Sequence, residues 1–341
     1  MLADIWFFLW GLLWAVYFML DGFDLGAGTL MPFIAKTEDD KRSVLNAAGP
    51  FWDGNEVWLI SAGGVTFAAF PQVYAAMFSG LYTALMLLLF ALIIRAVSFE
   101  FRSKIEGPGW RKLWDTCQFL GSALPAILLG VAFANIFGGL PVGPDGFIRA
   151  GLLDLLNPYG LMGGVLFLML FLVHGALWLC IRTGGELHAR AARAATTLWP
   201  VLAFAIVGFL VLTAVSSKLF VNYLNNPILF LELLLPVAGL VATRIWIGAR
   251  KWWLAWAASA ATIVGCTFFG VIGLFPALIP STISPEFSLT TANASSSPLT
   301  LQIMLVVACI FVPIVLIYQI WTYKTFAHRM DESDLSYDEA Y

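Results

Sequence analysis

Two pairs of acidic residues, each set three apart inside apolar sequence, are the parts of this chain best suited to chemistry. The first pair lies in Asp21-Gly22-Phe23-Asp24-Leu25-Gly26-Ala27-Gly28 and the second in Gly49-Pro50-Phe51-Trp52-Asp53-Gly54-Asn55-Glu56-Val57-Trp58. Residues three apart share a helix face, so each pair presents two carboxyls in one direction. A carboxyl inside a membrane span costs about 2.5 kcal/mol or more, and such groups usually face a bundle interior and mark ion or proton paths. Carboxyls gathered together cannot all ionise, so some of them hold protons near neutral pH. Neither stretch contains a lysine or arginine, and the chemistry expected of Asp21, Asp24, Asp53 and Glu56 is therefore proton relay. The plainer reading of Asp53 and Glu56 is that they sit in the first turns of a helix, where the dipole favours negative charge. A further acid, Glu100, stands beside Arg95 and Arg102 and reads either as an interfacial ion-pair group or as another member of the path. Gly22 and Gly26 form a G-x-x-x-G step that lets a second helix approach closely.

Other reactive residue types are sparse. Cys117, Cys180, Cys266 and Cys309 fall singly in four different apolar runs, without metal-ligand spacing, and read as inert small core residues. Of three histidines only His174 lies well within a run; a hydrogen-bonded core histidine or an interhelical polar contact is the expectation there. One histidine cannot supply axial ligands for several haems. The sequon Asn293-Ala294-Ser295 is a short pattern with no function attached to it.

The elements that hold the acids follow from composition. Of 341 residues, 60% are hydrophobic and 11% charged, against about 25% charged in soluble domains. That balance excludes a water-soluble enzyme, and a net charge of −3 removes any basic attraction to nucleic acid. Nine runs reach the roughly 20 apolar residues needed to cross a bilayer, at about 5–33, 51–70, 74–100, 115–137, 160–183, 195–217, 228–248, 252–274 and 299–325. They are apolar all round, which predicts helices rather than a β-barrel. The expected class is thus all-α, one polytopic membrane domain over 1–341. The first run is too long for a signal-peptide core and is read as retained. With the N-terminus outside, sixteen of the eighteen basic residues fall in inside loops or the tail, and only Arg149 and Lys218 fall outside. The positive-inside rule then gives N-out, C-in, with both acid pairs in the inner leaflet. The acidic tail 331–341 is expected to be solvated.

At the level of motifs the chain resembles subunit II of the bacterial cytochrome bd-type quinol oxidases. The resemblance rests on D-G-F-D-L-G-A-G, on F-W-D-G-N-E-V-W-L, on the stretch from Arg95 to Ile105 and on R-T-G-G-E-L from Arg182, and it covers nearly the whole chain. It implies four-electron reduction of O2 to water by membrane quinol in the bacterial inner membrane, with protons drawn from the cytoplasm. It also implies that haem b and haem d (or b) sit in a haem-bearing partner, subunit I, with none in this chain, and that a small single-span accessory subunit joins the complex. Asp53 takes the proton-uptake role, with Asp21, Asp24, Glu56 and Glu100 along the path, and Trp58 lies near an access route for O2. Sequence leaves open whether a lipid or quinone is bound in this chain. A different class, the proton-coupled secondary transporter, also suits inner-leaflet acids. Against it, no acidic motif recurs in the second half, where Glu232 is the one late intramembrane acid.

Overall fold

The structure is a computed structural model and describes residues 1–330; the acidic tail at 331–341 lies outside them. In chain order the helices are α1 (Leu2–Ile34), α2 (Glu38–Ala48), α3 (Trp52–Ala69), α4 (Pro71–Gly80), α5 (Tyr82–Phe101), α6 (Pro108–Gly138) and the single turn α7 (Leu152–Leu155). They are followed by α8 (Pro158–Arg182), α9 (Gly185–Ser216), α10 (Phe220–Asn225), α11 (Leu234–Gly248), α12 (Trp252–Leu274) and α13 (Pro298–Thr325). A 3-10 segment, Pro227–Leu233, leads into α11, and a short antiparallel pair, β1 (Ala277–Ile279) and β2 (Leu289–Thr290), closes the loop between α12 and α13.

Among the described residues eight helical segments are long and apolar enough to cross a membrane, Pro227–Gly248 counted as one, and α3 with α4 makes a bent pair that is a ninth if taken as one span. The second and third spans differ from the sequence expectation. Pro71 opens α4, and the residue before a proline is pushed out of the helical region. Phe70 accordingly has φ −134° and ψ 64°, and the two helices meet at 120°. The third run is broken again at Leu81, between α4 and α5. Helix α3 runs antiparallel to α1. Asn55 Nδ2 donates to the Leu20 carbonyl at 3.3 Å, and Trp10 Nε1 donates to Thr66 Oγ1 at 2.9 Å.

Layering follows from which faces are small. Helix α8 is the centre, with 78% of its apolar window buried, while α13 is peripheral at 6%. Packing at the centre is backbone on backbone. A Cβ on Gly26 of α1 would lie 1.8 Å from the Phe171 carbonyl oxygen of α8, and one on Gly175 would lie 2.4 Å from the Ala27 nitrogen. Gly130 of α6 meets Gly163 of α8 in the same way, 2.2 Å from its carbonyl oxygen. Close approach of this kind replaces the missing hydrophobic drive between helices in lipid with dense van der Waals contact. Gly22 lies on the same seam, against the side chain of Phe171.

The end of the bundle that carries α2 and the α5–α6 turn, here called the basic end, is clamped by ion pairs. Asp40 accepts the backbone N–H of Lys36 at 2.8 Å and of Thr37 at 3.0 Å, and pairs with Arg190 at 2.7 Å. Arg190 Nε also donates to the carbonyl of Ile34, the last residue of α1, at 2.6 Å. Burial works against the Asp40 charge, yet these N–H donors and the guanidinium hold its carboxyl below the usual aspartate range.

Candidate functional site

Helices α1, α3 and α5 meet around a buried ionic cluster. Arg95 of α5, fully buried, donates through one terminal nitrogen to Asp21 Oδ1 at 2.7 Å and to Glu56 Oε1 at 2.6 Å. Asp24, one turn beyond Asp21 on α1, accepts from Asn55 Nδ2 at 2.7 Å. The amide oxygen of Asn55 in turn accepts from the Tyr323 hydroxyl of α13 at 3.0 Å. Arg95 Nε and its second terminal nitrogen, Asp21 Oδ2 and Asp24 Oδ1 are buried and bond to no other described group of the chain, which leaves spare donors and acceptors inside the cluster.

Three sequence expectations change here. Arg95 had counted among the loop residues, and the acids had seemed without a cation; instead Arg95 reaches inward from α5 and bridges two of them. The reason is tertiary: α5 packs against α6, and from its inward face, shared with Ser98 and Arg102, the long Arg95 side chain reaches across to α1 and α3. Asp53 does not join the other three acids. It is exposed on the outer face of α3, with Val57, Ile60 and Phe67 continuing the same outward stripe. Glu100 is also exposed, because a position five residues after Arg95 faces away from the inward stripe. Glu56 stands between the two environments, with its side chain 20% exposed.

A polar track links the cluster to the basic end. The Ser98 hydroxyl, one turn along α5 from Arg95, is within reach of the Arg95 carbonyl at 2.6 Å and of Gln118 Oε1 at 2.5 Å; Ser98 and Gln118 are both buried. One turn further, Arg102 pairs with Asp115 at 2.6 Å and with Glu38 at 2.7 Å, and Lys41 pairs with the other oxygen of Asp115 at 2.7 Å. Asn55, Ser98, Gln118 and Tyr323 had not stood out as site residues. The signal available for the α5 part was spacing: Arg95, Ser98 and Arg102 repeat at three and four, a helix-face period in an otherwise apolar run.

Trp58 is buried and its Nε1 donates to Gln319 Oε1 of α13 at 3.0 Å. His174 is engaged on both ring nitrogens, Nδ1 with Ser259 Oγ at 3.1 Å and Nε2 with the Met19 carbonyl at 3.0 Å, and it stacks on Trp256. It is thus a satisfied interhelical contact and presents no free nitrogen to a haem iron. Among the described residues no group of three His, Cys, Asp or Glu side chains has metal-binding geometry. Cys309, expected in the core, is exposed on α13, the helix with the least buried surface.

Comparison with known proteins agrees with the motifs. The family model described as cytochrome bd terminal oxidase subunit II matches residues 2–326. The chain belongs to this family. Among its relatives, cytochrome bd-I ubiquinol oxidase subunit 2 of Escherichia coli (strain K12) is 37% identical, covering 98% of this chain and 96% of the relative. Cytochrome bd ubiquinol oxidase subunit 2 of Bacillus subtilis (strain 168) is also 37% identical, covering 98% of both chains. A chain of the bd oxidase structure from Geobacillus thermodenitrificans superposes with a TM-score of 0.72 over 95% of this chain and 98% of that one, at 16% identity, a likeness of fold. As a cytochrome bd subunit II, the chain is an all-α, multi-pass membrane protein and part of a terminal oxidase, and the transporter reading has no support from its relatives.

Proposed function

We propose that this chain serves, in a quinol:O2 oxidoreductase of the bacterial inner membrane, as the subunit that binds no haem and delivers protons from the cytoplasm to a haem-bearing partner, subunit I. Haem b and haem d (or b) on that partner supply the electron transfer and O2 reduction; a small single-span accessory subunit completes the assembly. The observation that carries this reading is the Asp21–Arg95–Glu56 bridge, which joins a buried acid to a half-buried one directly beside the exposed Asp53. One guanidinium faces three carboxyls, so the group reaches neutrality only with bound protons, and a proton that arrives displaces another rather than adding charge to the interior.

In this scheme the pairs around Arg102, Asp115 and Glu38 gather protons at the basic end, which faces the cytoplasm. Ser98 and Gln118 pass them inward, and Asp21, Asp24 and Glu56 hold them. Asp53, on the outward stripe of α3, hands them to the partner. Trp58, fixed by Gln319 on the inner side of α3, lines a route for O2, and Glu100 contributes from the exposed rim.

The Asp53→Asn complex tests the scheme. Quinol-driven O2 consumption should fall at least about tenfold while haem absorbance per complex stays normal. Loss of haem and activity in equal measure would make Asp53 structural instead.

A further inference from the structure

A groove lies at the basic end, outside the residues of the proton track. It has a volume of about 560 Å³ and lies between the α11–α12 turn, the start of α9 and the segment that follows α13. Its walls include Arg250, Lys251, Arg329, His188, Trp252 and Trp253, and among the described residues no carboxylate lines it. A 750 Å³ cavity between α2 and the start of α6 offers a direct contrast. There Lys41, Arg111 and Lys112 stand among Glu38, Glu106 and Asp115, so positive charge is already answered. In the groove, none of the three cations has an ion-pair partner among the described residues.

The cations are also held in place. Arg329 Nε donates to the Thr183 carbonyl at 2.5 Å, and the next amide, Met330 N–H, bonds the Arg182 carbonyl at 2.9 Å. Arg250 occupies the left-handed region at φ 54°, which a non-glycine residue seldom adopts, and so closes a tight turn that sets Arg250 and Lys251 side by side. Trp252 packs edge-on against His188, with ring centroids 5.3 Å apart. Trp253 and Leu254, 45% and 46% exposed, supply the apolar wall. Cations at the floor and a tryptophan-edged apolar wall match a group that is anionic at one end and greasy at the other.

We propose that this groove binds the headgroup phosphate of an anionic phospholipid, with Arg250, Lys251 and Arg329 around the phosphodiester and the acyl chains running along Trp253 and Leu254. Such a lipid ties the α11–α12 turn to the segment that follows α13, both of which line the groove. The test uses the whole oxidase complex in nanodiscs of phosphatidylcholine alone or with phosphatidylglycerol added. Thermal stability should rise with phosphatidylglycerol in the wild type, and the response should vanish in R250Q/K251Q/R329Q. It should persist in K104Q/K112Q, which removes charge elsewhere on the same end. Apparent affinity for phosphatidylglycerol should drop roughly tenfold or more in the triple variant. Equal responses in wild type and triple variant overturn the proposal. So does equal stabilisation by inorganic phosphate without anionic lipid, which would make the ligand a soluble anion. Native mass spectrometry of the wild type decides independently of any variant: preferential retention of phosphatidylglycerol over phosphatidylcholine supports the site, and equal retention refutes it.

Discussion

Arg95 is the residue on which the buried cluster depends. It is fully buried, and one of its nitrogens serves both Asp21 and Glu56. Removing one partner of a buried pair leaves an uncompensated charge and costs about 3–5 kcal/mol, whereas removing the charges together is far milder. Arg95→Gln should therefore lower the yield and thermal midpoint of the assembled complex sharply. R95Q/D21N/E56Q should regain most of that stability, but not O2 consumption, since the proton-holding acids are gone. Stability measured by detergent-resistant assembly, set beside oxygen-electrode rates, separates the two effects. Recovery of activity in the triple variant would show that the acids serve the ion pair and nothing more.

At the scale of elements, the seam between α1 and α8 and the clamp around α2 make different demands. Gly26 faces backbone: its Cβ would sit 1.8 Å from the Phe171 carbonyl oxygen, which cannot move without shifting α8. Gly22 faces the Phe171 ring at 2.7 Å, and a side chain can rotate away. Gly26→Ala should cost about 3 kcal/mol or more and Gly22→Ala clearly less, read as the shift in thermal midpoint of the complex. The α2 clamp should respond to pH. The folded-state value of Asp40 lies below its unfolded value, so its contribution is present above the unfolded aspartate value of about 3.9 and is lost as pH falls through the folded one. Hydrogen-exchange protection over residues 36–48, taken relative to intrinsic exchange at each pH, should thus be unchanged between about pH 7 and pH 5 and fall steeply below about pH 4. A fall centred near about pH 6 would point to a different group.

For the whole molecule, the distribution of basic residues predicts an orientation with the N-terminus outside. Moving Arg95 into the bundle removes one residue from the inside tally and leaves the bias overwhelming, because the α2, α5–α6, α8–α9 and α11–α12 turns all lie at one end. The expected orientation follows. A cysteine introduced at the exposed Ser103 should be reached by a membrane-impermeant maleimide only from the cytoplasmic side, and one at the exposed Asn293 only from the outside. The reverse pattern would invert the direction of the proton path. The same scale explains the outward apolar faces of α3, α5 and α13. In a chain that works beside a partner within lipid, those faces have somewhere to go, and their exposure is expected.

Class and the acidic motifs were legible from residues alone, because about twenty apolar residues in a row have few fates and a carboxyl among them is conspicuous. The G-x-x-x-G step likewise announced a close helix contact. Helix ends and partners were not legible. The break at Leu81 interrupts a run, 74–100, that reads as continuous, since local backbone geometry there outweighs hydropathy. Which acids meet was a question of rotation about each helix and of which helix lies next to which. Asp53 and Glu56 are three residues apart, yet one faces outward and the other bonds an arginine. That arginine comes from 74 residues away from Asp21, and no local pattern encodes such a contact. A helix face is written into the spacing of its residues, but its neighbour is chosen by the packing of the whole bundle.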